Sequence, residues 1–166
     1  MRGRLIQRFK AEVARLDTTA TRAGGFYDDD FREVVTIDGD GDGIGESQRQ
    51  EHAAVMIPCQ VGSRSWEALR SNDLGVVPQT QLITYFHFSD LESLGLVDAT
   101  SGDALIHIGD RLVSLRSFQD EAVVQAVKTP PGLYVTQADP SGWGLNLANP
   151  TRNLLRVVWE ERSAVT

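Results

Sequence analysis

Residues 81–116 read QLITYFHFSDLESLGLVDATSGDALIHIGDRLVSLR. Two runs rich in β-branched and aromatic residues flank a polar stretch, and the second run is broken by Gly109-Asp110. Glycine adopts positive φ without a Cβ penalty, so this pair predicts a two-residue turn joining strands over 104–108 and 111–116. Residues 81–88 predict a further strand, and 90–101 a loop with a helical turn near 90–94.

Working outward, 153–160 (NLLRVVWE) predicts a closing strand, and Trp159 on it is expected in the core. Residues 51–61 (EHAAVMIPCQV) predict another strand, with Pro58 marking an edge position or a bulge because proline has no N–H to give. Short strands are expected over 32–37, 122–128 and 133–137, and loops over 18–25, 38–46 and 139–150. At the N-terminal end Leu5, Phe9, Val13 and Leu16 are spaced four, four and three apart. That spacing places them on one helical face and predicts an α-helix over about 4–16, packed on its own domain or docked on a partner. The fold expected is mainly β: one domain over 1–166, a small antiparallel barrel or sandwich over about 31–160 with an N-terminal helix and long loops.

Composition narrows the function classes. With 41% apolar and 23% charged residues the chain falls among globular proteins. No apolar run approaches the roughly 20 residues that span a bilayer, so no membrane partner is expected. The net charge is −7, yet residues 1–22 set Arg2, Arg4, Arg8, Lys10, Arg15 and Arg22 against Glu12 and Asp17 alone. The acidic body argues against dedicated nucleic-acid binding, and a basic arm on it suits docking on an acidic neighbour, including another copy of the chain. The single cysteine, Cys59, excludes an internal disulfide and reads as a small buried hydrophobe.

Chemical motifs are sparse. Asp38, Asp40 and Asp42 alternate with glycines and resemble the first half of a calcium loop, where hard oxygen ligands converge on one cation. The match fails at Arg49, which stands where the bidentate glutamate belongs, although Glu46 could substitute. The alternative is a solvated acidic loop. Asp28, Asp29 and Asp30 form a second acidic run, expected at a solvated edge meeting basic residues of a neighbour. His87 and His107 would need opposing strands to share a metal. There is no G-x-S-x-G elbow, no phosphate loop and no legible acid–base pair, so no catalytic residue and no cofactor is expected. Trp143, in a Gly-Trp-Gly loop, is a candidate interface anchor, and Arg4, Arg8, Asp28, Asp29 and Asp30 are further interface candidates.

Several pieces recur in order: a helix, Tyr27-Asp28-Asp29-Asp30-Phe31-Arg32-Glu33, Ile57-Pro58-Cys59-Gln60-Val61, the strand 82–88, Gly109-Asp110-Arg111-Leu112, and Asn153-Leu154-Leu155 entering a last strand. This order resembles the head-closure, or stopper, proteins of long-tailed phages. The resemblance implies a non-enzymatic virion protein of the neck, present in the host cytoplasm during assembly. It implies a homo-oligomeric ring between the portal or adaptor ring and the tail. Its partners would be those ring proteins and the tail terminator or tail tube, and its lumen would hold packaged DNA without sequence specificity. A loop over 90–103 or 36–50 would project as the gate. Apparent insertions near 38–50 and 139–150 make the chain longer than a minimal stopper. They keep open a tail-terminator-like ring, or a small calcium- or ligand-binding barrel of a bacterial cell.

Overall fold

Phe9, Ala11 and Val13 alternate with Lys10 and Glu12, a period of two that turns the apolar set to one side of an extended chain. In the computed structural model, which describes residues 9–30, 33–35, 49–62, 81–127, 132–141 and 153–161, this segment is strand β1 (Phe9–Ala14). Ala11 and Val13 are buried in the core, while Lys10 and Glu12 reach charged partners outside it. The helix expected over 4–16 is thereby corrected for 9–14, and 4–8 lie outside the described residues. An early helix does exist, one turn later, as α1 (Thr18–Ala23). Asp17 caps it by accepting the Ala20 N–H at 2.9 Å, and the buried Thr21 hydroxyl donates to the Asp17 carbonyl at 2.6 Å.

The chain continues through β2 (Tyr27–Asp28) and β3 (Glu33–Val34), which pair as a two-stranded sheet. Then follow β4 (Val55–Val61), β5 (Gln81–His87), α2 (Phe88–Ser93), β6 (Arg111–Ser117), β7 (Val123–Ala126), β8 (Leu133–Ser141) and β9 (Leu154–Glu161). Six strands close into an antiparallel barrel in the order β1-β4-β5-β9-β8-β6, because β6 pairs back onto β1 with Phe9 opposite Ser117 and Ala14 opposite Arg111. Closure removes the free edges a six-stranded sheet would otherwise expose. β7 stands outside the ring and, among the described residues, pairs with β6 alone.

The core fills from inward positions of every barrel strand. Ile57 and Cys59 on β4, Phe86 on β5, Leu112 and Leu115 on β6, Leu133 and Val135 on β8, and Leu155, Val157 and Trp159 on β9 form one buried cluster. The Trp159 indole N–H donates to the Thr84 hydroxyl at 2.8 Å inside it, which explains a buried threonine on β5. These two residues sit diagonally across the β5–β9 ladder, where Leu82 faces Trp159 and Thr84 faces Val157. Pro58 lies opposite Lys10 of β1, and β4 pairs with β5 only at Gln60 and Val61, so β4 is locally one-sided at the proline.

α2 closes one end of the barrel through buried Phe88 and Leu91. It ends at Gly95, whose φ of +69° lets the Leu96 N–H return to the Leu91 carbonyl at 2.8 Å. The loop after it is packed down rather than projecting: Leu96 and Ile106 are buried, and Val97 pairs with Ala104. The gate expected over 90–103 is therefore packed down through Leu91 and Leu96, with 92–95 and the 99–103 tip exposed.

The hairpin expected over 104–116 forms only in its second arm. Gly109 does take positive φ, at +94°, but 104–108 lay down no ladder beyond the Ala104 pairing. The cause is Asp110. Its carboxylate is 2% exposed and accepts the His107 N–H at 2.9 Å and the Leu16 N–H at 2.8 Å. These bonds fold the chain before β6 into a turn anchored on the β1–α1 junction, in place of a strand edge.

Candidate functional site: a charged rim and a projecting arm

Residues 49–52 run alongside 15–17, with the Asp17 N–H donating to the Gln50 carbonyl and the His52 N–H to the Arg15 carbonyl, both at 2.9 Å. That path delivers Glu51 to the rim of the barrel. Its carboxylate accepts Arg111 Nε at 2.9 Å and Nη2 at 2.6 Å, and Arg49 Nε at 2.5 Å. Arg49 also donates to the Gly109 carbonyl and lies 5.1 Å from the Tyr134 ring centre. Burial by itself would raise the Glu51 pKa; the hydrogen bonds and charge of the two arginines outweigh it and hold the carboxyl below its usual range.

This cluster ties the 49–52 segment, β6 and β8 together and is structural. Glu51→Ala is expected to cost on the order of 2 kcal/mol in a denaturant titration, because it strips two partly buried guanidiniums of their acceptor. The sign with pH follows from the lowered folded value. The contribution is complete above the unfolded pKa of about 4.3 and is lost as pH falls through the folded one. Wild type and Glu51→Ala should therefore converge in stability in acid; a gap that holds constant with pH would contradict the pairing.

At the other end of β6, beyond Ser117, the chain leaves the barrel. Residues 118–126 are exposed without interruption. Phe118 is 40% exposed, Val123 51% and Val124 58%. All four residues of β7 are exposed, so neither face of the strand is covered. β6 and β7 pair with a register shift that leaves Val124 as an extra residue between Leu115–Gln125 and Arg116–Val123. The tip contains Glu121 at φ +55°, a left-handed conformation uncommon for a residue with a Cβ. Two contacts on the β1 side hold it: Lys10 pairs with the Glu121 carboxylate and lies 5.6 Å from the Phe118 ring centre, and Arg116 Nη1 donates to the Glu121 carbonyl at 3.5 Å. Arg116 also binds Glu12 at 3.0 Å, beside the Ser114 hydroxyl at 2.6 Å. The Ser114 hydrogen bond, helped by Arg116, keeps Glu12 below the usual carboxylate range.

Only some of the residues singled out in the sequence fall among the described ones. Asp38, Asp40, Asp42 and Glu46, and with them the calcium-loop reading, lie outside the described residues, as do Arg4, Arg8 and Trp143. Asp28 Oδ1 accepts the Asp30 N–H at 2.8 Å, and Asp29 pairs with Arg22, whose guanidinium lies 5.5 Å from the Tyr27 ring centre. The cation Asp29 was expected to find on a neighbour is thus supplied by its own chain.

His87 ends β5 opposite Leu154, and His107 sits in the turn before β6, so the two are not on paired strands. Among the described residues no three His, Cys, Asp or Glu side chains converge to hold a metal. Cys59 is fully buried, and burial pushes its thiol up to about 12. A thiol reagent is expected to leave the folded protein unmodified and to react once per chain after denaturation; rapid labelling of the native state would contradict the packing of β4 against β1.

What sequence reasoning missed was the arm. Residues 122–128 were expected only as a strand, but the adjacent valines in Asp120-Glu121-Ala122-Val123-Val124-Gln125-Ala126 break the alternation of a half-buried strand. Among the described residues no helix is long and apolar enough to cross a membrane. No family model, curated protein or solved structure matches this chain.

Proposed function

We propose that this chain is a non-enzymatic ring subunit of a long-tailed phage neck, in the position of the head-closure protein, contacting the portal or adaptor ring above and the tail below. The observation that carries the reading is the arm at 118–126: a contiguous exposed segment with three large apolar side chains that the barrel leaves uncovered. A monomeric barrel gains nothing from such a surface, whereas a subunit that assembles by contact with neighbours needs one. The closed barrel supplies a rigid body to carry it, and the order of motifs that resembles head-closure proteins supplies the setting. The acidic overall charge fits a lumen that lets DNA pass without gripping it, since carboxylates repel phosphate.

Depletion of the chain during phage growth tests the reading. The expected products are heads without tails together with free tails, and restored virions when the chain is supplied from a plasmid. Undiminished numbers of intact virions after depletion would refute it.

A further inference from the structure

We propose that the 118–126 arm is the docking surface for the basic N-terminal segment, residues 1–8, of a neighbouring copy of this chain. The inference deepens the ring reading and rests on it for the presence of a neighbour.

Complementarity is the first support. The arm presents Phe118, Val123 and Val124 with Asp120 and Glu121 and contains no basic residue. Residues 1–8, MRGRLIQR, carry Arg2, Arg4 and Arg8 around Leu5 and Ile6 and contain no acidic residue. Apolar side chains thus meet apolar side chains, and arginines meet the acidic Asp120, Glu121 being held by the chain's own Lys10.

Position is the second support. Phe9, the first described residue, lies opposite Ser117, immediately before the arm. It does so on the far side of β6 from β7, since β6 pairs with β1 on one edge and with β7 on the other. From the β1 side the chain's own Lys10 already holds Glu121 and lies over Phe118. The faces of β7 beyond this clamp remain for a segment arriving from elsewhere.

The mode of contact follows from the register shift at Val124. A bulged edge is a poor template for an added strand, so the segment docks through side chains rather than by extending the sheet. The two surfaces are different parts of one chain, so the contact is head-to-tail, and such a contact makes a ring where the rotation between copies closes.

Disulfide trapping between two full-length single variants tests the proposal. Ile6→Cys chains are mixed with Val124→Cys chains carrying a mass tag and oxidised, with buried Cys59 left in place. A tagged–untagged covalent dimer that neither variant gives alone is the expected result, and adding Arg4→Glu and Arg8→Glu to the Ile6→Cys chain should cut its yield about tenfold. The double variant, Ile6→Cys with Val124→Cys in one chain, is oxidised in parallel. A bridge found only inside that single chain would overturn the proposal, because the segment would then cover its own arm. No bridge in either experiment would overturn it as well. Loss of tails on depletion, with no bridge formed, would leave the neck reading standing and remove only this contact.

Discussion

Trp159→Ala is expected to lower the stability of the barrel by about 4–5 kcal/mol. Removing a fully buried tryptophan costs about 3–5 kcal/mol through lost transfer energy and the cavity left behind. The substitution also removes the donor to the Thr84 hydroxyl, which is buried with it. Domains are stable by only about 5–15 kcal/mol, so the variant would approach the limit of folding. Its thermal midpoint should drop by about 10–15 °C, followed by circular dichroism. Trp159→Phe retains most of the volume and loses the hydrogen bond, so about 1–2 kcal/mol is expected. A Trp159→Ala melt within a few degrees of wild type would mean that β9 does not present this side chain to the core.

Asp110→Ala has the second largest expected effect, about 2–4 kcal/mol. Two backbone N–H groups, of Leu16 and His107, lose the carboxylate that satisfies them, and an unsatisfied buried donor costs about 1–3 kcal/mol. The substitution releases both the turn before β6 and the entrance to α1, so amide exchange should accelerate in both segments together. Exchange that changes at one of them alone would contradict the shared anchor.

Asp110→Asn adds a test with a pH signature. Burial raises the Asp110 carboxyl above its usual range, and the N–H groups of His107 and Leu16 offset this only in part. A carboxyl whose folded value is raised contributes its extra stability below the unfolded pKa and loses it as pH rises through the folded value. Wild type therefore loses stability over that window, while the asparagine variant, which does not titrate, keeps a constant deficit from the N–H left facing its amide. The gap between them should narrow as pH rises. A gap that widens would show that the carboxylate, not the acid, is the form the fold prefers.

The contrast between β9 and β1 explains how much of the fold could be read from the residues. In 153–160 the apolar run is long, β-branched and aromatic, and it is observed as Leu154–Glu161. The 81–88 segment behaves likewise, with Phe88 alone passing into α2. β1 is ambiguous by arithmetic. Residues four apart lie on one face of a helix and also on one face of a strand, so Leu5, Phe9 and Val13 satisfy both periods. What decides between them is pairing with β4 on one side and β6 on the other, more than 40 residues away in sequence. Local periodicity carries no such information.

α1 was hidden differently. Its residues are Thr-Thr-Ala-Thr-Arg-Ala, and threonine is a poor helix former, but Asp17 placed three before Ala20 is a cap that outweighs it. In 104–108 the alternation suggested a strand, and the Asp110 carboxylate diverted the local N–H groups into a turn. The acidic motifs were legible as chemistry but not as geometry: Asp29 finds its cation in the same chain, at Arg22. The arm was legible only as a strand, because exposure depends on what the rest of the fold leaves uncovered.

Immunogold electron microscopy of particles from the source culture, with antibody raised to this chain, tests the neck assignment most directly. The assignment predicts gold concentrated at the junction of head and tail. Label absent from every particle, with the protein abundant and unassembled in the cell, would contradict it and return the arm to the status of a surface whose partner lies outside the virion.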